Sequence, residues 1–412
     1  MWARMERAPP RWTPDHYFER TDSQLTSGAS DITTHPDTLA SPSIWMLRST
    51  GIGADRQMAN LAGALSDRVQ VIDTLDSIPR ALFERLTGAD RRPIPAAKQH
   101  LLQPPWPDVV LFSGGRSLVD ALRIRRASGG HSKIVCIGRT GSALDRVDLV
   151  LTTPQYGLPE HPNVVHLDLP LNFVDETTLD LGRRAWRERF QAYPRPWHGV
   201  LVGGDSGSYR FDAAAGRRLG DALQGLVERC GGSLLITTSP RSHDDLIDAM
   251  QARIDGAHYL YRFSRGDRKN PLAGIFALAD DFVVTADSAS MLAEACSLGR
   301  PVAVFEPPLQ WRSRLIERLS SERPAAANKS RITWRDRWTA RGRWVPARRM
   351  HRIHRQLESR GLITPIDQLG PNARPALGGS GRGDLERAVD AVRRLLDGRK
   401  NMKPQITQMD AD

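Results

Sequence analysis

An α/β protein built from two Rossmann-like domains is the fold that this sequence predicts. Three observations lead there. Short β-rich runs alternate with helical stretches from Ser43 onward, the alternation falls into two series, and 412 residues are enough chain for two cores. Parallel strands must be joined by a long return, which is commonly a helix, so this alternation is the pattern of parallel sheets covered by crossover helices. No run of 18 or more apolar residues interrupts it, so no spanning helix is expected.

The first series sets a domain at 43–190. Its strands are read at "SIWMLR" (43–48), "VQVID" (69–73), "PDVVLFSGG" (107–115), "SKIVCIG" (132–138), "VDLVLTT" (147–153) and "NVVHLDL" (163–169). A helix follows the first run because Met58, Leu61, Ala62 and Leu65 recur at helical spacing, and another spans about Ser117 to Ser128. After "YPRPW" (193–197) the second series sets a domain at 191–310. It has strands in "GVLVGGDSGS" (199–208), "GSLLITTSPRS" (232–242) and "AHYLYRF" (257–263), then the long run 276–308, with helices from about Ala213 to Arg229 and Asp244 to Arg253. Near the end, 384–398 carries an apolar stripe of Leu385, Ala388, Val389, Val392, Leu395 and Leu396, with Asp384 placed to cap its start and Gly398 its end. Such a stripe has to be buried, and the helix is expected to cross back onto the first domain. Residues 1–42 mix charged, Pro, Ser and Thr residues without periodicity and read as a disordered leader. Their acids, from Glu6 to Asp37, argue against a transit peptide.

Three widely spaced cysteines, Cys136, Cys230 and Cys296, suit a reducing compartment, and no Cys or His spacing suits zinc. No metal and no cofactor are expected, and the expected location is cytoplasmic. The basic charge is concentrated. Between Gln310 and Arg360, fourteen arginines and Lys329 face Glu317, Glu322, Asp336 and Glu358, an excess of eleven that equals the net charge of the whole chain. Trp311, Trp334, Trp338 and Trp344 lie in the same stretch. Residues 311–383 are therefore read as a basic, Trp-rich insertion and linker. Within them, 311–350 is assigned to peripheral contact with an anionic membrane surface, in preference to nucleic acid, for which no motif is present. A merely solvated Arg-rich insertion is the alternative. Nothing in the sequence sets an oligomeric state.

The chemistry gathers in the second domain. In "FVVTADSASMLAEACSLGRPVAVFE" (282–306), Asp287 and Ser288 occupy a turn between a strand and a helix. The first-turn amides of that helix lack intrahelical partners and sit at the positive end of its dipole, so Ser288 to Ser290 is a site for phosphate. Glu294 lies one turn after Ser290 on the same face, where a carboxylate could accept from ribose hydroxyls. The alternative is that Ser288 merely caps the helix and Glu294 is a solvated surface carboxylate. Two further strand ends belong to the same edge. The loop "VGGDSGS" (202–208) offers Gly203, Gly204 and Gly207, whose amides could approach an anion closely, together with Ser206. The loop "TTSPRS" (237–242) supplies Ser239 and Arg241 for a diphosphate. In the first domain, "STGIGADRQ" (49–57) lacks a full GxGxxG and reads as a loop facing the cleft between domains, with Gly53 and Gln57 on the acceptor side. Arg116 of "SGGRS" (113–117) either holds an anion or sits in a tight turn.

The series "GGDSGS", "TTSPRS", "NP" (270–271) and "VVTADSASMLAEACSLGRPVAVF" resembles the bacterial and plant family named for a mitochondrial fission protein, over roughly residues 44–310. That family is similar to GT-B glycosyltransferases such as the lipid-intermediate N-acetylglucosaminyltransferases. The resemblance implies that Ser288, Ser290 and Glu294 bind the diphosphate and ribose of a nucleotide-diphosphate sugar, with Gly203 and Gly204 near the phosphates. The family has a His-Glu pair before the residue matching Gln57, whereas Ala54 and Asp55 stand here, which leaves Asp55 as the candidate catalytic base. The implied function is metal-independent transfer of the sugar to an unknown, lipid-linked or envelope acceptor. A nucleotide-sugar epimerase and a non-catalytic scaffold, the latter in keeping with the organelle-division role implied for plant members, are the alternatives.

Overall fold

The computed structural model describes residues 41–49, 51–73, 99, 101–206, 209–267, 269–310, 313–314, 333–373 and 380–400. Residues 1–40 of the expected leader (1–42), Gly207 and Trp311 lie outside them. In chain order the elements begin β1 (Ile44–Leu47), α1 (Ile52–Leu65), β2 (Val69–Ile72), β3 (Val109–Ser113), α2 (Gly114–Ala127), β4 (Lys133–Ile137), β5 (Leu149–Thr152) and β6 (Val164–His166). There follow α3 (Glu176–Phe190), β7 (Trp197–Val202), α4 (Ala213–Cys230), β8 (Ser233–Thr238), α5 (Asp244–Gln251), β9 (His258–Tyr261), α6 (Leu272–Leu278), β10 (Asp281–Thr285), α7 (Ala289–Cys296) and β11 (Val302–Phe305). The chain closes with α8 (Trp334–Ala340), α9 (Met350–Ser359), β12 (Thr364–Pro365) and α10 (Ser380–Lys400).

Two parallel six-stranded sheets result, ordered β2-β1-β3-β4-β5-β6 and β12-β11-β10-β7-β8-β9. This is the expected α/β fold of two Rossmann-like units. The chain divides at Asn172/Phe173, ahead of the expected boundary at 190. The reason lies in α3, whose Gly182, Trp186 and Phe190 form one buried stripe. Gly182 meets the Ala273 backbone, Gly274 lies under the Trp186 ring, and Phe190 packs edge-on against Tyr259 at 5.5 Å. A Cβ on Gly182 would strike that backbone, so α3 is bound to α6 and β9 of the second unit. The stretch expected as one insertion is also divided: the described residues of Asn328–Arg349 join the first unit, and Met350–Ser380 joins the second, where β12 becomes the sheet's edge strand.

The first unit packs Leu47, Phe112, Leu118, Ile134, Cys136 and Val150 into one core. Burial raises the Cys136 thiol to about 12, so it serves as a small hydrophobe. As expected, α10 packs on this unit, but it runs from Ser380 to Lys400, so Asp384 and Gly398 lie inside the helix and do not cap its ends. Its Asp384 is buried and accepts from the backbone amides of Asp168 (3.2 Å) and Leu169 (2.9 Å), while Arg387 pairs with both Asp384 and Asp168.

In the second unit the central strands β7 and β10 are locked at their starts. His198 and Asp281 are register partners, and His198 Nδ1 lies 2.9 Å from Asp281 Oδ1 while Nε2 lies 3.1 Å from the Gly231 carbonyl oxygen. Burial disfavours the charged ring, but the bonds to Asp281 and Gly231 outweigh it and raise the His198 pKa.

Two outcomes follow from these contacts. Asp384→Ala leaves the buried Leu169 amide and the half-buried Asp168 amide without acceptors and should cost about 2–4 kcal/mol in urea denaturation. The stabilisation from protonated His198 is full below its ordinary pKa near 6.5 and is lost as pH rises through the raised value. The melting temperature should therefore fall with rising pH over that window, and Asp281→Asn should flatten the slope.

Candidate functional site

Within the second sheet, β7 leads to β8 on one side while β10 leads to β11 on the other, so the strand order reverses between β7 and β10. Loops leaving the carboxyl ends at such a reversal diverge, and ligands of open α/β sheets bind there. Of the residues that the sequence singles out in the second domain, Gly203, Gly204, Ser206, Ser239, Arg241, Asp287 and Ser288 lie in the loops after β7, β8 and β10, and Ser290 and Glu294 lie in α7.

One carboxylate ties these loops together. The side chain of Asp287 is 0% exposed. Its Oδ1 accepts from Thr285 Oγ1 (2.7 Å), and its Oδ2 accepts from the Gly204 amide (3.2 Å) and from Arg241 Nη2 (2.8 Å). Thr285 Oγ1 in turn accepts from the Gly203 amide at 2.7 Å. Arg241 Nη1 donates to the carbonyls of Gly204 (3.1 Å) and Asp205 (3.2 Å). A Cβ on Gly203 would run into the Asp287 carboxylate, and one on Gly204 into the Arg241 backbone. The amides of Gly203 and Gly204 thus donate to Thr285 and Asp287, and the room left by their missing Cβ atoms is taken by protein groups.

Ser242 closes the cluster from the β8 side. Its hydroxyl reaches the Gly203 carbonyl at 2.6 Å and accepts from the Ser239 amide at 3.0 Å; Ser239 Oγ lies 3.1 Å away. Thr285 and Ser242 were missed by sequence reasoning. The signals were there: Thr285 stands two residues before Asp287, and Ser242 follows Ser239 at a spacing that closes a hydroxyl turn. His243 Nε2 pairs with Asp205 Oδ2 at 3.3 Å. Ser206 Oγ is buried and, among the described residues, has no hydrogen-bond partner.

Ser288 caps α7, its hydroxyl accepting from the Met291 amide at 3.4 Å. Ser290 follows in the first turn. Glu294 is 5% exposed, so it is not the solvated surface carboxylate of the alternative account. Beside the cluster lies a pocket of about 310 Å³, lined among others by Ser239, Ser242, Asp244, Arg262, Phe263 and Arg265. Arg262 is held by Asp248 at 2.5 Å, a bond that raises its pKa.

In the first unit, Asp55 sits in the first turn of α1 and accepts from the Ser49 amide at 2.7 Å. Burial raises its pKa against the lowering pull of Ser49 and Arg48. The Gly53 carbonyl accepts from Gln57 Nε2 (3.3 Å) and Asn172 Nδ2 (3.2 Å), so the Gln57 amide is engaged within its own helix. The backbone of Arg116 lies in α2; its side chain is outside the described residues. Among the described residues no group of three or more His, Cys, Asp or Glu could hold a metal ion, and no helix is long and apolar enough to cross a membrane.

A family model described as Mitochondrial fission ELM1 matches residues 52–380. The chain belongs to this ELM1 family. The match runs past residue 310 and across the basic segment, further than the motifs suggested. A curated ELM1 relative, the mitochondrial fission protein ELM1 of Arabidopsis thaliana, is 30% identical over 220 residues, covering 48% of this chain and 51% of that one. The chain thus aligns with about half the length of that relative. Among solved structures it is similar to MurG of Acinetobacter baumannii (15% identity, TM-score 0.39, covering 87% of this chain and 99% of that one). It is also similar to the UDP-GlcNAc 2-epimerase from Neisseria meningitidis bound to UDP-GlcNAc (11%, 0.40, 86% and 100%) and to Medicago truncatula UGT71G1 complexed with UDP-glucose (11%, 0.42, 87% and 98%).

In this ELM1-family chain, Asp287→Ala should cost about 2–4 kcal/mol, because it leaves the Thr285 hydroxyl and the Gly204 amide without their acceptor, while Arg241, 42% exposed, keeps its carbonyl partners. Thermal denaturation measures it. The isosteric Asp287→Asn should cost less, since its carbonyl can still accept one of these bonds.

Proposed function

We propose that the second unit binds a nucleotide-diphosphate sugar at the β7/β10 strand reversal, and that the protein transfers the sugar to an acceptor that is lipid-linked or belongs to the cell envelope. The observation that carries this reading is the convergence of three strand-end loops beside the first turn of α7, with buried Glu294 one turn behind and the buried Ser206 hydroxyl unpartnered among the described residues. A buried hydroxyl without a partner calls for a ligand or water, and a helix start favours a phosphate. The motif resemblance supports the same assignment. Charge growing on the leaving diphosphate would be stabilised by the α7 amides and by Arg241, without a metal. On the first unit, Asp55 would take the proton of an acceptor hydroxyl, a role for which a raised carboxyl pKa is suited.

A second reading is favoured by one observation. The amides of Gly203 and Gly204 and three donors of Arg241 are already used within the protein. A non-catalytic, partner-binding scaffold would need no more than that.

Thermal shift with UDP, GDP and ADP separates the two. A nucleotide at about a hundred times its Kd stabilises by roughly 2.7 kcal/mol, which should raise the melting temperature by a few degrees. Glu294→Ala should abolish the shift while the protein stays folded. No shift with any nucleotide diphosphate at millimolar concentration removes the donor site and leaves the scaffold.

A further inference from the structure

Among the described residues, the exposed large apolar side chains are Leu181, Trp334, Trp338 and Trp344. Three of these four lie within one short segment of the first unit, at 57%, 45% and 47% exposure. An indole left in water is costly, and three together mark an interaction surface.

The segment is built to hold them. Helix α8 starts on a capping box: Thr333 Oγ1 accepts from the Asp336 amide (3.2 Å), and Asp336 Oδ2 accepts from the Thr333 amide (2.8 Å). Trp334 and Trp338 are one turn apart on one face and meet edge to face, with ring centroids 5.5 Å apart. The helix ends at Gly342 (φ +69°), and the chain folds back so that the amides of Arg343 (2.8 Å) and Trp344 (3.2 Å) both donate to the Trp338 carbonyl. The third indole is thereby carried on the same turn as the second. A Cβ on Gly342 would strike the backbone of Ser142 and Ala143, so this turn lies directly on the body of the unit. Arg139 Nη1 donates to the Pro346 carbonyl (2.6 Å), and the Arg349 amide donates to the Gln155 carbonyl (2.8 Å), which fixes the way out.

Charge surrounds the indoles. Within 333–344, Arg335, Arg337, Arg341 and Arg343 are all exposed and the one acid, Asp336, is engaged in the cap, while the 144–146 turn packed against α8 adds exposed Asp145 beside Arg146. Apolar rings within a basic rim complement an anionic bilayer surface, where indole sits at headgroup level and guanidinium pairs with lipid phosphate. The geometry points to residues 333–344 as a docking platform of the first unit for anionic phospholipid. Single-stranded nucleic acid would need open, stackable ring faces. Here Trp334 and Trp338 stand at 82° to each other, and Arg335 lies over the Trp334 ring at 5.4 Å. The platform is independent of the donor-site reading, since none of its residues belongs to the second unit.

Co-sedimentation of the full chain with vesicles of phosphatidylcholine, with and without phosphatidylglycerol, tests this. The expected result is binding to the phosphatidylglycerol vesicles that weakens with salt, and little to phosphatidylcholine alone. One variant carries Arg335→Gln, Arg341→Gln and Arg343→Gln; since each arginine near such a surface is worth about a fivefold factor, its binding should fall by roughly a hundredfold. A second carries Trp334→Ala, Trp338→Ala and Trp344→Ala, and should bind about tenfold more weakly or worse. The arginine variant should keep the wild-type melting temperature, because those side chains are exposed, and the tryptophan variant should stay folded with a small fall in melting temperature from the lost Trp334–Trp338 contact. No binding of the wild type to anionic vesicles overturns the platform, as does equal binding by all three proteins. So does tighter binding to single-stranded RNA than to the anionic vesicles, with the same loss in both variants.

Discussion

The second unit depends on how it accommodates one carboxylate with no solvent exposure. A buried, unpaired charge costs several kcal/mol, so Asp287 can stand at the end of β10 only if its lone pairs are met on the spot. They are met from three directions: Thr285 from its own strand, the Gly204 amide from the β7 loop and Arg241 from the β8 loop. Each partner constrains its own loop. Gly203 and Gly204 must lack a Cβ to come close enough, and the β8 loop must turn back through Ser239 and Ser242 for Arg241 to arrive. The three strand ends are thus fixed by one polar node in place of three separate turns.

That node explains which parts of the site were legible in sequence. Asp287, Gly203, Gly204, Ser239 and Arg241 stand out because they are turn residues following β-rich runs, and the alternation of runs puts those turns on one edge. Their mutual roles were not legible. A glycine in a strand-end loop reads equally as room for an anion and as room for another side chain, and only the long-range pairing with a residue more than eighty positions away distinguishes the two. Glu294 shows the same limit: helical spacing places it behind Ser290 but says nothing about what covers it, and it is buried.

The fold was legible wherever the pattern was local. Most of the strands fall within the expected runs because apolar β-rich stretches bounded by turns leave little choice. Two of the departures are non-local. Helix α3 follows the first series in sequence, yet its stripe of Gly182, Trp186 and Phe190 fits α6 and β9 of the second unit. The basic segment looked uniform by composition, yet it splits at Met350 because α8 rests on the first unit while β12 extends the second sheet. Composition reports charge but not which surface a helix finds.

The same node bears on how an anion would be held. A guanidinium has five N–H donors, and Arg241 uses three of them on Asp287, Gly204 and Asp205, which leaves two and pairs its charge with a carboxylate before any ligand arrives. The pairing with Asp287 also holds the side chain in place, so its remaining donors are positioned without further loss of rotamer freedom. Nearby acids work against a ligand of like sign: Asp205 in the β7 loop and Asp244 at the start of α5 stand at this edge, Asp205 facing His243 and Asp244 facing Arg262. The helix α7 start differs in kind, because its positive end comes from amides that a helix cannot satisfy from within. Most of the attraction for a phosphate at this edge therefore has to come from the Ser288 to Ser290 turn, with Arg241 acting more to shape the loops than to neutralise the ligand.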